Sequence, residues 1–456
     1  MTKSQRVRAL SLDAGCGTPG LYVHIPFCAS KCRYCDFNSY AGLNWLFARY
    51  VSALKQELVL WTEIAGGGNQ GANLGTVYFG GGTPTLVGAR HLIAVLDAAR
   101  LAFTISADAE ITVETNPGVA EPKDLDALIA AGVNRLSMGV QSFDETELRF
   151  LGRIHTVAQV GQAWSAARRS GFKNMSLDLM YGLPGQTLGL WSRNLDRALE
   201  LEPEHLSLYA LTVEDGTPLA TSIAGGLVAE PDPDVAAEMY EVAEEALGAT
   251  GYHHYEISNW AKPGRECLHN LNYWRNGDYV GVGAGAHSHI GGFRLSNHKP
   301  PLKYVGAIES GRVNENVIPD SIRKPGPGSA GELDSGFRRN DGTPQPDGVA
   351  RRHQGGENLP SDSVVGTLTG KGLAVECVEA IDVRTAMAET MMLGLRLDEG
   401  VEGCDFKTRF GQSLEEVYGP QIEELKINGL LIAEGRSLRL TPRGRLLGNQ
   451  VFCRFV

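Results

Sequence analysis

Short runs of β-branched and aromatic residues alternate with amphipathic stretches, and this alternation constrains the chain most. The runs are Leu21–Phe27, Thr76–Phe79, Glu110–Glu114, Arg135–Val140, Ser176–Met180 and His205–Leu211. Between them lie Trp45–Ile64, His91–Phe103, Pro122–Ala131, Val157–Ser170 and Leu190–Leu201, with apolar residues at three- and four-residue spacing. Strand and helix signals in this order predict βα units on a parallel sheet. Six units fit between about residue 20 and residue 220. A closed eight-stranded barrel needs more, so the expectation is an α/β fold with a partial (β/α)6 barrel.

Polar or glycine-rich residues follow these strands: Cys28, Gly80–Thr83, Asn116, Gln141, Gly182–Gln186 and Glu214. In barrels of this kind the C-terminal strand ends carry the chemistry. Any one of these residues is also an ordinary turn former, but their recurrence points to a common site.

Residues 316–370 break the pattern. The stretch is dense in Gly, Pro, Ser, Asp and Arg, and Phe337 is its one aromatic. Too little apolar surface is available to offset the entropy of ordering it, so it is expected to be a disordered insertion. Beyond it, Asp382–Leu397 and Ser413–Asn428 read as helices, and Leu430–Glu434 and Ser437–Leu440 as two short strands around Gly435. That order predicts a C-terminal helical, winged-helix-like domain. The expected division is a short arm at 1–19, a barrel at 20–220, a barrel extension at 221–315, the insertion at 316–370 and the C-terminal domain at 371–456.

A formal net charge of −11 argues against a broad nucleic-acid surface. No apolar run is long enough to span a membrane. The first twelve residues lack the apolar core of a signal peptide. Of 8 cysteines, three cluster and Cys16, Cys267, Cys377, Cys404 and Cys453 are scattered. This usage suits a reducing, cytoplasmic compartment, where clustered thiols mean metal or catalysis.

The cluster is Cys28-Ala-Ser-Lys-Cys32-Arg-Tyr-Cys35, with C-x3-C-x2-C spacing. Three thiolates in one loop can reach three irons of one 4Fe–4S cubane and leave the fourth open to a chelating small molecule. Zinc is the rival; it usually takes four protein ligands, and a distant cysteine or histidine would have to complete its set.

The spacing, just after the first strand, resembles the radical S-adenosylmethionine (SAM) superfamily. The partial barrel then becomes a radical SAM barrel. The resemblance implies that SAM chelates the open iron and can be cleaved reductively to a 5′-deoxyadenosyl radical. It extends to Leu21-Tyr-Val-His-Ile-Pro-Phe-Cys28 and Phe79-Gly-Gly-Gly-Thr-Pro84, which are similar to the oxygen-independent coproporphyrinogen III oxidase group. By this resemblance Tyr22, Gly81, Gly82, Thr83, Glu114, Gln141, Arg153 and Asp178 contact SAM. Read bottom-up, carboxylates and an arginine suit a zwitterionic ligand with ribose hydroxyls; structural salt bridges use the same residues.

Within that group the chain resembles the HemW-type heme chaperones. Phe37 stands where the oxidases carry a further cysteine, and only about twenty residues precede the first strand. His269-Asn-Leu-Asn-Tyr-Trp274 matches the HNxxYW element associated with heme. Neutral imidazole is a good axial ligand, which makes His269 the heme candidate. His287, His289 and Cys267 are rivals, and His24 reads as a supporting residue beside the cluster loop. The resemblance implies 4Fe–4S, SAM and heme as bound groups, with a heme-acceptor protein and an electron donor as partners. Three functions are weighed: heme chaperone, which is preferred; oxidase converting coproporphyrinogen III to protoporphyrinogen IX; and a radical enzyme acting on DNA or RNA through the winged-helix tail, which the net acidity disfavours most. The chain is an enzyme only on the second and third readings.

Overall fold

The computed structural model describes residues 17–64, 73–311, 368 and 372–456. Apart from Leu368, the expected insertion at 316–370 lies outside the described residues, as do Cys16 and most of the arm at 1–19.

Six parallel strands form the centre of the sheet: β1 (Gly20–Ile25), β2 (Asn73–Gly81), β3 (Thr104–Thr115), β4 (Arg135–Gln141), β5 (Met175–Tyr181) and β6 (His205–Ala210). They overlap the six runs read from the sequence, although β3 begins six residues before Glu110, at Thr104. The sheet then continues mostly in antiparallel pairing. Its remaining strands are β7 (His253–Glu256), β8 (Asn259–Ala261), β9 (Tyr279–Val282), β10 (His287–Ile290), β11 (Phe293–Asn297) and β12 (Val375–Ala380). The 12-stranded order is β12-β11-β10-β9-β1-β2-β3-β4-β5-β6-β8-β7.

Strand β9 is a seventh parallel strand, paired with β1 on the side away from β2. It ends in the glycine-rich segment that begins at Gly281. Glycine is required there by crowding: a Cβ on Gly281 would run into the His287 carbonyl. Two adjacent strands can approach this closely only without that side chain.

The two faces of the barrel strands differ in chemistry. In β5 (Met-Ser-Leu-Asp-Leu-Met-Tyr), Leu177 and Leu179 join the core under the helices, whereas Asp178 and Met180 line the barrel cavity. Period-two alternation thus places apolar residues outward and polar ones inward. Helix Phe47–Ile64 covers the outside through Tyr50, Leu54, Leu58 and Trp61, and helix Ala89–Ala102 through Leu92, Val95, Leu96 and Ala99. Both sets follow the helical repeat. Thr156 and Gln159 form a reciprocal capping box at helix Val157–Ser170, and Gly171 ends it in a left-handed turn. Such a cap is worth about 1 kcal/mol.

The C-terminal region has its own core, including Met391, Phe406, Ile422 and Phe452. Helices Val383–Gly394 and Leu414–Ile427 pack with a three-stranded sheet of Val401–Glu402, Ser437–Leu440 and Leu431–Glu434. This is the helical, winged-helix-like arrangement read from the sequence. Met391 and Met392 are packing residues in it.

Candidate functional site

An open cavity of about 530 Å³ runs through the barrel from the cysteine loop to the junction with the C-terminal region. All twelve site residues singled out in the sequence line it: Tyr22, Cys28, Cys32, Cys35, Gly81, Gly82, Thr83, Glu114, Gln141, Arg153, Asp178 and His269. His24 and His287 line it too.

The cysteine loop is pinned at both ends. Phe27–Cys28 pairs in parallel with Tyr40–Ala41, and Lys31 Nζ donates to the carbonyls of Phe37 and Ser39 at 3.1 and 3.3 Å. Two side chains donate toward sulfur: the Thr83 hydroxyl to Cys28 Sγ at 3.8 Å, and Arg153 to Cys32 Sγ at 3.4 Å. Burial pushes the Cys28 thiol up and the Cys35 thiol up to about 11. A metal must therefore displace the thiol protons to bind. Among the described residues no three His, Cys, Asp or Glu side chains are gathered around a single-ion position.

The glycine run ending β2 lies against this loop. A Cβ on Gly82 would stand 2.6 Å from the Phe27 carbonyl oxygen, and one on Gly81 2.5 Å from the His24 ring. Gly81 also has φ +112°, where only glycine is unstrained. The backbone is thereby held bare beside the cysteines. Gly81 N–H and the Tyr78 hydroxyl donate to the Glu114 carboxylate at 3.2 and 2.8 Å. Burial nevertheless pushes Glu114 up to about 7.

Arg153 is held by three acceptors: Cys32 Sγ, the Gly139 carbonyl at 2.6 Å and Asn116 Oδ1. Asn116 in turn donates to Thr83. Asp178 accepts from Ser137 and Ser176, and burial raises its pKa. Gln141 closes β4 with φ 70°, an uncommon conformation for a residue with a side chain.

His269 lies deep in the barrel, on helix Leu268–Trp274. Its Nδ1 meets the Thr76 hydroxyl at 2.7 Å and its Nε2 the Tyr273 hydroxyl at 2.8 Å. The ring stacks on Tyr78 with centroids 5.0 Å apart. Burial, followed by the Arg135 charge, pushes the imidazole down to about 3, so it is neutral. Of its rivals, His289 is buried against the Gly277 carbonyl outside the cavity lining, and Cys267 donates to Glu110 at 3.5 Å. His24 bridges Tyr22 and the Asn38 carbonyl, a supporting place.

Thr76, Tyr78, Glu110 and Arg135 were not singled out by sequence reading. Each sits in a strand, and β-strand periodicity relative to Glu114 marks Glu110 and Thr112 as sharing its face. Arg396 reaches the same cavity from the C-terminal region, out of the stretch Asp382–Leu397 that reads in sequence as a helix.

Comparison with known proteins agrees with this architecture. Residues 22–193 match the Radical SAM superfamily, and residues 381–447 match the HemN C-terminal domain. The structure titled coproporphyrinogen III oxidase (HemN) from Escherichia coli, a radical SAM enzyme, superposes with a TM-score of 0.74 at 22% identity. That match covers 100% of this chain and 93% of that one. At this identity the likeness is one of fold. Over 436 residues the chain is 35% identical to the heme chaperone HemW of Bacillus subtilis, spanning 95% of this chain and 98% of the relative. The chain belongs to the HemW family. The HemW of Escherichia coli is 44% identical over 271 residues, 59% of this chain and 70% of that relative. In this HemW-family chain the radical SAM match covers β1 to β5 and the cysteine loop, and the HemN C-terminal match covers most of the second core.

Proposed function

We propose that this chain binds heme and passes it to an acceptor protein, using the radical SAM barrel to hold a 4Fe–4S cluster and SAM. The end-to-end match to the Bacillus subtilis heme chaperone carries the reading. A cytoplasmic location and an electron donor for the cluster belong to the same proposal. Among the described residues no helix is long and apolar enough to cross a membrane.

The residues fit the cluster and SAM. Cys28, Cys32 and Cys35 would hold three irons of the cluster, and the Arg153 N–H and Thr83 O–H donors would stabilise sulfur charge at Cys32 and Cys28. Gly81 and Gly82 keep the backbone bare where a side chain would block approach. Tyr22, Thr83, Glu114, Gln141, Arg153 and Asp178 line the same cavity and would contact SAM there. Once bound, cluster and SAM supply one-electron radical chemistry. The chain's own residues bind, orient and screen that assembly from water.

His269 is the proposed heme ligand. Ligation requires that a ring nitrogen exchange its Thr76 or Tyr273 hydroxyl for iron. Burial already keeps the imidazole neutral, as ligation demands.

Reconstituted, cluster-loaded protein is to be titrated with hemin under anaerobic conditions, and the holo form mixed with an apo-hemoprotein. Saturable binding that weakens in His269→Ala, followed by heme transfer, is expected. Conversion of coproporphyrinogen III in the presence of SAM and dithionite would replace this reading with the oxidase reaction.

A further inference from the structure

Heme carries two propionates, and this chain has a net charge of −11. A site for a dianionic ligand therefore needs a local cation. The Lys and Arg residues lining the cavity are Lys31, Arg153 and Arg396. The first two serve the cysteine loop, as described above. Arg396 stands at the other end, where the barrel meets the C-terminal region.

Its position is fixed from both sides. Leu397 forms an antiparallel bridge to Glu256 at the end of β7, and Asp398 N–H donates to the Tyr255 carbonyl at 3.0 Å. The Arg396 guanidinium carbon lies 5.1 Å from the centroid of a Trp274 ring and 4.9 Å from that of Phe452. A guanidinium carries its N–H donors in a planar fork that matches a carboxylate, and aromatic neighbours leave that fork its hydrogen-bonding capacity.

Two buried polar atoms of the cavity-lining residues lack partners. Trp274 Nε1 and Asn259 Oδ1 are sealed from water with no hydrogen bond, although both residues line the cavity and are only 6% and 3% exposed. Unpaired buried polar groups are costly and call for an explanation. A bound polar ligand supplies one at Trp274, whose indole N–H can only donate.

We propose that Arg396, clamped between Trp274 and Phe452, binds a propionate carboxylate of the tetrapyrrole, with the Trp274 N–H as a second donor. The assignment rests on the heme-binding reading and adds the group that recognises the macrocycle's edge. The buried Glu256 carboxyl feels the Arg396 charge, so the site already holds one carboxyl within the field of the guanidinium.

The test compares hemin with hemin dimethyl ester, whose carboxylates are blocked, on cluster-loaded protein by absorbance titration. Wild type is expected to prefer hemin by about tenfold or more, the scale of one charge-assisted hydrogen-bonded pair. Arg396→Gln should lose that preference by weakening hemin alone, Arg396→Lys should keep part of it, and Trp274→Phe should reduce it a few-fold. Equal affinity of wild type for the two ligands overturns the assignment without any variant being made. So does an equal loss of both ligands in Arg396→Gln when Arg396→Lys behaves as wild type. Failure of wild type to bind either ligand overturns the heme reading itself, which is a different result.

Discussion

The Glu110 carboxylate accepts the main-chain N–H of His269 at 3.2 Å, joining residues 159 positions apart. It also accepts the Leu268 N–H at 3.2 Å and the Cys267 thiol, and Arg135 lies 3.8 Å behind it. A strand carboxylate thus holds the first turn of the helix that carries His269. Negative charge is favoured at such a helix start, where N–H groups lack internal partners.

Glu110→Gln should therefore be costly out of proportion to its size. The substitution leaves Arg135 as a buried charge without its counter-ion, which typically costs about 3–5 kcal/mol. Urea denaturation of the metal-free chain measures it. A loss below roughly 1 kcal/mol, the scale of one ordinary hydrogen bond, would mean that Arg135 has another compensating partner.

Each of Cys28→Ser, Cys32→Ser and Cys35→Ser should lose most cluster iron and sulfide after anaerobic reconstitution, because each thiolate holds its own iron. Iron analysis and the visible charge-transfer absorbance report this directly. Full iron and sulfide in any one variant would remove that cysteine from the set.

Gly82→Ala should disturb the cysteine loop without touching a sulfur. The added methyl meets the Phe27 backbone at 2.6 to 2.9 Å, one residue before Cys28, and backbone cannot rotate aside. SAM affinity is expected to fall about tenfold or more at unchanged iron content, since about 1.4 kcal/mol of displacement suffices for that. Unaltered SAM affinity by equilibrium dialysis would show that the backbone here does not approach the ligand.

Glu114 gives SAM binding a pH dependence. Burial raises its carboxyl from 4.5 to about 7 in the free protein. A folded-state pKa raised in this way favours the protonated fold at low pH, and that contribution is lost as pH rises through about 7. SAM carries an ammonium and ribose hydroxyls that prefer the ionised carboxylate, so binding should strengthen from pH 6 to pH 8. Glu114→Gln should flatten the profile, and an unchanged slope in that variant would place the titrating group elsewhere.

The sequence by itself determined the six central strands, their helices and the cysteine loop, because period-two and period-3.6 patterns and short-range spacing are local properties of the chain. It also marked the residues after each strand, which parallel winding brings to one end of the barrel. Tertiary structure alone decided that β9 extends the parallel sheet beside β1, since pairing across more than 250 residues leaves no local signature. It decided that His269 shares its ring nitrogens with Thr76 and Tyr273 inside the barrel, and that Arg396 is stacked on Trp274 at the far end. Those contacts join segments distant in the chain, and their energies depend on burial, which exists only once the sheet has closed around them.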